Sequence, residues 1–346
     1  MKATQITIKD IARELGISPS TVSRALKDHP DISKDTKKAV NELAKKLNYE
    51  PNTVALNLRT KKTNTIGVII PELVHFFFST VISGIEDVAY NAGYNVILAQ
   101  SNELLERERK NIKALYNSRV DGILMSISRE TTEYDHIESV LAKGTPIVFY
   151  DRMYPNEATS KVIVDDYTGS QEAVRHLINQ GCKRIAHLQA APKSSIAHAR
   201  LQGHLDMLKD NNLQFPENYL QECHAGTMES GFIAMNNLLQ LPERPVGVFA
   251  NNDVLAMGAI QAIKKSGLKV PQDIALVGFS NWLYSSMIET PLSSVDQPGF
   301  LMGQEAAKLL IRQIELTDKD EDAVIVPETK ILKTKLIVRE SSMRKR

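Results

Sequence analysis

The stretch TIKDIARELGISPSTVSRALKDHPDIS, residues 7–33, decides how the chain begins. Thr7 stands where a helix N-cap falls, with Asp10 three positions on in the capping-box pattern. Ile8, Ile11, Ala12 and Leu15 then recur at helical spacing until Gly16 stops the helix. After a short turn, Ser18-Pro19 reads as an N-cap followed by proline at the first helical position. This opens a second helix, Pro19 to Lys27, with Val22, Ala25 and Leu26 inward. A third helix is expected from the N-cap candidate Ser33 to about Leu47, with Ala39, Val40, Leu43, Ala44 and Leu47 in one apolar stripe.

Burying Val22, Ala25 and Leu26 leaves Ser20, Thr21, Ser23 and Arg24 for the outer face or rim of the second helix. A helix fits the major groove of B-DNA, where arginine can pair bidentately with guanine and hydroxyls reach phosphates or bases. Arg24 is therefore the expected base reader. A merely solvated polar face is the plainer reading, and charge argues against it. Residues 1–62 carry 13 Lys/Arg against 7 Asp/Glu, leaving 29 against 34 in the remainder. A basic head on a mildly acidic body is the footprint of a nucleic-acid contact confined to one end.

The quoted stretch resembles the helix-turn-helix signature of the lactose/galactose repressor (LacI/GalR) family nearly residue for residue. YEPNTVALNLRTKKTNTIGVI, beginning at Tyr49, resembles that family's hinge helix and the approach to its core. The resemblance covers essentially the whole chain. It implies a transcription regulator, a repressor whose affinity for a palindromic operator is set allosterically by a small-molecule effector, a sugar or sugar derivative. The DNA contacts it implies are Thr7, Ser18, Pro19, Ser20, Thr21, Ser23 and Arg24 in the headpiece, and Asn52, Thr53, Ala55, Leu58 and Arg59 in the hinge. Leu58 falls at the position of a minor-groove wedge, whose unstacking cost of a few kcal/mol is repaid by a bent duplex. Without the resemblance it reads equally well as a linker residue packed on the core. So short a hinge is marginal as an isolated helix, so operator binding is expected to need a homodimer.

From Thr65 onward, short apolar runs alternate with amphipathic helical stretches. TIGVIIP, YNVILAQ, GILM and PIVFYD make one parallel α/β half, and VIVDD, RIAHLQA, LQECH, GVFANN and ALVGFSN make a second. Ser293–Asp296 and a helix from about Phe300 to Leu316 are expected to return to the first half, and KTKLIVRES to supply a final strand to the second. The expected fold is an all-α helix-turn-helix headpiece (1–50), a hinge (51–63) and an α/β, two-lobed, periplasmic-binding-protein-like core (64–340). Lobe 1 would comprise 64–162 and 293–326, and lobe 2 163–292 and 327–340.

In open α/β sheets ligands bind beyond the carboxyl ends of strands. The resemblance places the effector against Phe77, Phe78, Asp151, Arg200, Asn252, Asp253 and Gln297; Ser280 at the end of VGFS and Trp282, able to stack on a ring from another direction, join them as candidates. Acids, amides and arginine would fix hydroxyls while phenylalanine covers the apolar side of a ring. Each has another reading: Phe77 and Phe78 as helix-core residues, Asp253 as an N-cap, Asp151 as a turn residue, Trp282 as a packing residue. Two positions depart from the family: Ser280 stands in VGFSN where an aspartate is usual, and Gly226 where an aromatic is frequent.

No apolar run reaches membrane-spanning length, and MKATQITIKDIAREL lacks the apolar region of a secretory signal, so a cytoplasmic protein with no membrane partner is expected. That absence, with the headpiece, weighs against a transport-type sugar receptor. The lack of GxSxG, HExxH, GxGxxG and GxxxxGK[ST] weighs against an enzyme. The scattered histidines and the two cysteines, Cys182 and Cys223, form no zinc-like spacing, so no cofactor or metal is expected and both thiols are expected to be buried and inert.

Overall fold

Capping builds the N-terminal unit. In this computed structural model, which describes residues 6–49, 62–74, 76–320 and 323–344, helix α1 (Ile8–Leu15) begins at Thr7, whose backbone amide and hydroxyl both donate to Asp10 Oδ2, at 2.9 and 2.6 Å. It ends at Gly16, at φ 64°, a left-handed backbone that glycine adopts without a Cβ penalty. Helix α2 (Pro19–Leu26) starts from Ser18, whose Oγ accepts from the Thr21 amide at 3.1 Å. Helix α3 (Lys34–Lys46) starts from Ser33 in the same way. Ile11, Ala12, Val22, Ala25, Val40, Leu43 and Ala44 form the core of this unit, with Leu15, Leu26 and Leu47 packed on it. Ala39, expected in the apolar stripe of α3, is exposed instead. A position one residue before Val40 lies about 100° around the helix, far enough to leave the buried face.

The chain divides at Thr63 and Asn64 into two compact units. The second is built on β1 (Thr65–Ile70), α4 (Phe76–Asn91), β2 (Asn95–Gln100), α5 (Leu105–Asn117), β3 (Gly122–Met125), α6 (Asp135–Leu141), β4 (Ile147–Tyr150) and β5 (Ser160–Val164). There follow α7 (Asp166–Asn179), β6 (Ile185–Ala190), α8 (Ser195–Asp210), β7 (Leu220–Cys223), α9 (Met228–Leu239), β8 (Gly247–Ala250), α10 (Asp253–Lys265) and β9 (Ala275–Ser280). The chain closes with β10 (Ser293–Asp296), α11 (Gly299–Lys319), β11 (Thr329–Leu332) and β12 (Lys335–Ile337).

Two six-stranded sheets result, in the orders β11-β5-β4-β3-β1-β2 and β12-β10-β9-β8-β6-β7. All pairings are parallel except β10 with β12. Strands β1, β3, β4, β6 and β8 are almost wholly buried, as expected of parallel strands covered by helices on both faces.

Strand membership corrects the expected lobe boundaries. Strand β5, read as opening the second half, pairs with β4 in the first sheet, Val148 opposite Ser160. Strand β10, read as returning to the first half, pairs with β9 in the second, and β11 joins β5 in the first. The chain therefore changes sheet after β5, after β10 and after β11. Helix α11 does pack on the first lobe. A Cβ on Gly84 of α4 would lie 2.0 Å from the Phe300 carbonyl oxygen, and one on Gly303 2.0 Å from that of Val81, so the two helices meet backbone to backbone. Cys182 and Cys223 are free and buried, and burial pushes the Cys223 thiol up to about 12.

Candidate functional site

In the N-terminal unit the residues expected at DNA fall into a capped, outward-facing set. Ser18, Pro19, Ser20 and Arg24 are exposed, and Thr21 and Ser23 are half-buried. Ser18 Oγ lies 2.7 Å from Ser20 Oγ and 2.8 Å from Thr21 Oγ1, so three hydroxyls meet at the amino end of α2. Helix N-termini present free amides and a partial positive charge, the arrangement that receives a phosphate. Arg24 sits in the last turn of α2 with its side chain in solvent. Thr7 adds an exposed hydroxyl at the start of α1. Asn52, Thr53, Ala55, Leu58 and Arg59 lie outside the described residues.

In the second unit, the ends of strands from both sheets converge on a cleft of about 110 Å³. Phe77 and Phe78 of α4 and Asp151 after β4 come from one sheet. Arg200 of α8, Asn252 after β8 and Ser280 at the end of β9 come from the other, and Gln297 follows β10. Seven of the nine expected residues are thus brought together. On a measure of roughly 10–15 Å³ per water, the space suits one small polar ring.

Three cleft-lining positions have positive φ: Asp151 (φ 59°), Ala191 (φ 45°) and Ser280 (φ 104°). For residues with a Cβ such strain costs about 1–3 kcal/mol each and concentrates where a backbone must present groups to a ligand. Asp151 sits low in the cleft, where burial pushes its carboxyl up to about 6 against the pull of the Arg152 and Arg200 guanidiniums. Arg200 is held by Asp166, Nε to Oδ1 at 2.8 Å and Nη2 to Oδ1 at 2.7 Å. It also donates to the Asn251 carbonyl and lies 3.5 Å above the Phe279 ring. Nε and Nη1 each spend a donor on these hydrogen bonds, and the guanidinium, with five N–H donors in all, lines the cleft.

Gln297 is buried, and its Oε1 accepts from Ser280 Oγ at 2.7 Å while its Nε2 has no partner. Reversing the amide only moves the deficit to the oxygen, so the cleft holds a buried polar atom that lacks its hydrogen bond either way. Asn252 spends its Oδ1 capping α10, on the Leu255 amide at 2.8 Å, which leaves its amide nitrogen for the cleft.

Two expected residues stand apart. Asp253 is not the cap of α10, which is Asn252, but its first helical residue. The Asp253 carboxylate is fully engaged: Oδ2 accepts from the Trp282 amide (2.6 Å) and Ser285 Oγ (2.7 Å), Oδ1 from Ser294 Oγ (2.6 Å). Its acceptors are spent on holding β10 and the turn after β9. Trp282 lies beside a minor recess of about 30 Å³ shared with Phe77, Asn252, Asp253 and Ser280, its ring edge-on to Tyr284 at 4.9 Å.

Sequence reasoning missed Arg129, Arg152 and Ser194, which also line the cleft. They lie beyond the carboxyl ends of β3, β4 and β6, where the strand-end rule points. Arg152 Nη1 donates to Glu103 at 2.7 and 2.9 Å. Arg129 Nη1 reaches the other lobe, donating to the carbonyls of Ala225 at 3.0 Å and His224 at 3.3 Å.

Comparison with known proteins identifies the family and the fold. A family profile described as bacterial regulatory proteins, lacI family, matches residues 7–52, and one described as periplasmic binding proteins and sugar binding domain of LacI family matches 63–335. Catabolite control protein A of Priestia megaterium is 33% identical over 323 residues, 93% of this chain and 96% of that protein. The HTH-type transcriptional repressor CytR of Escherichia coli K12 is 33% identical over 312 residues, covering 90% and 91%. Among solved structures, the lac repressor dimer bound to operator and the anti-inducer ONPF matches 98% of this chain and 100% of its own, with TM-score 0.84 and 27% identity. A complex of the transcriptional regulator CelR with cellobiose matches 97% and 100%, with TM-score 0.72 and 28% identity. With a family match over most of its length and relatives a third identical across nine-tenths of it, the chain belongs to the LacI family of bacterial regulatory proteins, DNA-binding transcription regulators that carry the family's sugar-binding domain.

Proposed function

We propose that this protein is a cytoplasmic repressor that binds a two-fold-symmetric operator as a homodimer and whose affinity is set by a sugar-like effector in the cleft. The observation that carries the reading is the pair α1 and α2 joined by Gly16-Ile17-Ser18. Val22 and Ala25 are buried, and the Ser18/Ser20/Thr21 hydroxyls and Arg24 face outward. In this reading the amino end of α2 meets the phosphate backbone and Arg24 meets a base edge in the major groove. Leu58, with Asn52, Thr53, Ala55 and Arg59 around it, enters the minor groove beside its symmetry mate.

In the cleft, Asp151, Gln297, Asn252 and the remaining donors of Arg200 take hydroxyl groups, and Phe77 and Phe78 cover the apolar side of the ring. Because those groups come from both lobes, an effector that engages all of them favours one lobe arrangement over another. Only such differential contact can shift operator affinity.

Selection from random duplexes with the full-length protein near physiological salt tests the DNA half. A palindromic winner held several kcal/mol more tightly than scrambled duplex is the expected outcome. Weak binding without sequence preference in every fraction would refute it.

A further inference from the structure

Beyond Asp151 the cleft opens into a second compartment of about 540 Å³ that shares Arg129, Arg152, Ala191 and Ser194 with the first. Its chemistry is different. The first compartment contains the Asp151 carboxylate, whereas the described residues lining the second include Arg129, Arg152, Lys193 and His224 and no carboxylate. Glu103 sits behind the wall and meets both guanidiniums, 2.7 Å from Arg152 Nη1 and 3.5 Å from Arg129 Nη2. Arg152 also faces Asp151 and Glu72, and His224 Nε2 lies 3.4 Å from Glu222, so the freest cation of this lining is exposed Lys193. Burial alone would raise the Glu103 carboxyl, but the Arg152 and Arg129 guanidiniums hold it below its usual range, so it remains a single fixed charge. Helix α8 also begins here: Ser194 caps it through the Ala197 amide at 3.1 Å, and Ser194 and Ser195 line the space.

Ile127, Tyr134, Met153 and Pro155 give the same lining an apolar part. At about 540 Å³ the compartment is several times larger than the ring-sized first one and far larger than a bare phosphate needs. A lining that combines apolar side chains with cations fits a second ring that lays its C–H face on the former and turns an anionic oxygen group toward the latter. Resting on the reading of the cleft as the effector site, we propose that the effector is an anionic two-ring saccharide: one ring bound by Asp151 and Gln297, the second carrying a phosphate or carboxylate to Arg129 and Lys193. Since Arg129 also bonds the His224 and Ala225 carbonyls of the other lobe, the group that reads the anion is the group that ties the lobes together.

Calorimetric titration of the full-length protein with matched probes tests this. The probes are cellobiose, maltose, trehalose and lactose, their 6-phosphates, the corresponding uronic disaccharides, and single-ring sugars with their 6-phosphates. At least one anionic disaccharide is expected to bind tenfold or more tightly than its neutral counterpart. Lys193→Gln is expected to shrink that ratio about fivefold, and raising the salt to shrink it further. Preference for a phosphate or a uronate identifies the anion. Equal binding of neutral and anionic partners, an unchanged ratio in Lys193→Gln, or no binding by any anionic disaccharide overturns the proposal. A neutral single-ring sugar that binds and alters operator affinity would do so while leaving the effector-controlled repressor intact; failure of every probe to alter operator affinity would count against both.

Discussion

Two residues carry the chemistry that is most exposed to test. Arg24 projects from α2 into solvent, so its removal costs the headpiece core little and isolates its contact with DNA. Arg24→Ala is expected to weaken operator binding by about 1–3 kcal/mol and to relax preference at one base pair per half-site, leaving the salt dependence nearly unchanged. Equal loss on all duplexes with a shallower salt slope would make it a phosphate contact instead. Asp151 is raised to about 6 from an ordinary 3.8. The native chain therefore holds this proton more readily than the unfolded chain between about pH 4 and 6. Its contribution to stability is largest on the acid side and is lost as pH rises through that window. Asp151→Asn is expected to stabilise the effector-free protein at pH 7.5 relative to the wild type, with the difference shrinking at pH 4.5, as read by urea titration. The same change is expected to abolish the fall in effector affinity between pH 7.5 and 5.5, since a protonated carboxyl offers a hydroxyl ligand less. A destabilisation equal at both pH values would contradict the assignment.

At the scale of elements, legibility was uneven for a physical reason. Caps and periodicity are local, so Thr7, Gly16, Ser18 and Ser33 marked the headpiece helices to within a residue. Apolar runs such as IVFY and GVFA marked buried strands equally well. Sheet membership is not local: nothing in SKVIV or SSVD says which neighbour it pairs with, and β5 and β10 were accordingly given to the wrong lobe. The cleft followed the same pattern. The strand-end rule led to the right loops, yet Arg129, Arg152 and the Asp166 partner of Arg200 emerged only once the loops were folded against one another. Asp253 shows the converse, an acid at a strand end whose three bonds bind α10, β10 and the turn after β9 into one piece. Asp253→Ala leaves those buried donors without an acceptor and is expected to cost about 3 kcal/mol of core stability in urea titration. A loss below about 1 kcal/mol would show that the site relaxes or admits water.

For the whole molecule, the reading joins a DNA-facing unit to an effector cleft through a hinge, and thermodynamics imposes a condition on such a coupling. If the effector changes operator affinity by some factor, the operator changes effector affinity by the same factor. No helix among the described residues is long and apolar enough to cross a membrane. The decisive measurement is the affinity of the full-length protein for its selected operator, by fluorescence anisotropy at fixed salt, across a titration of the ligand that binds the cleft, paired with calorimetry of that ligand with and without operator. The account predicts a change of about 5- to 150-fold in operator affinity, matched by an equal factor in ligand affinity, and abolished together by Arg200→Ala or Gln297→Ala. A ligand that saturates the cleft while operator affinity stays constant would contradict it.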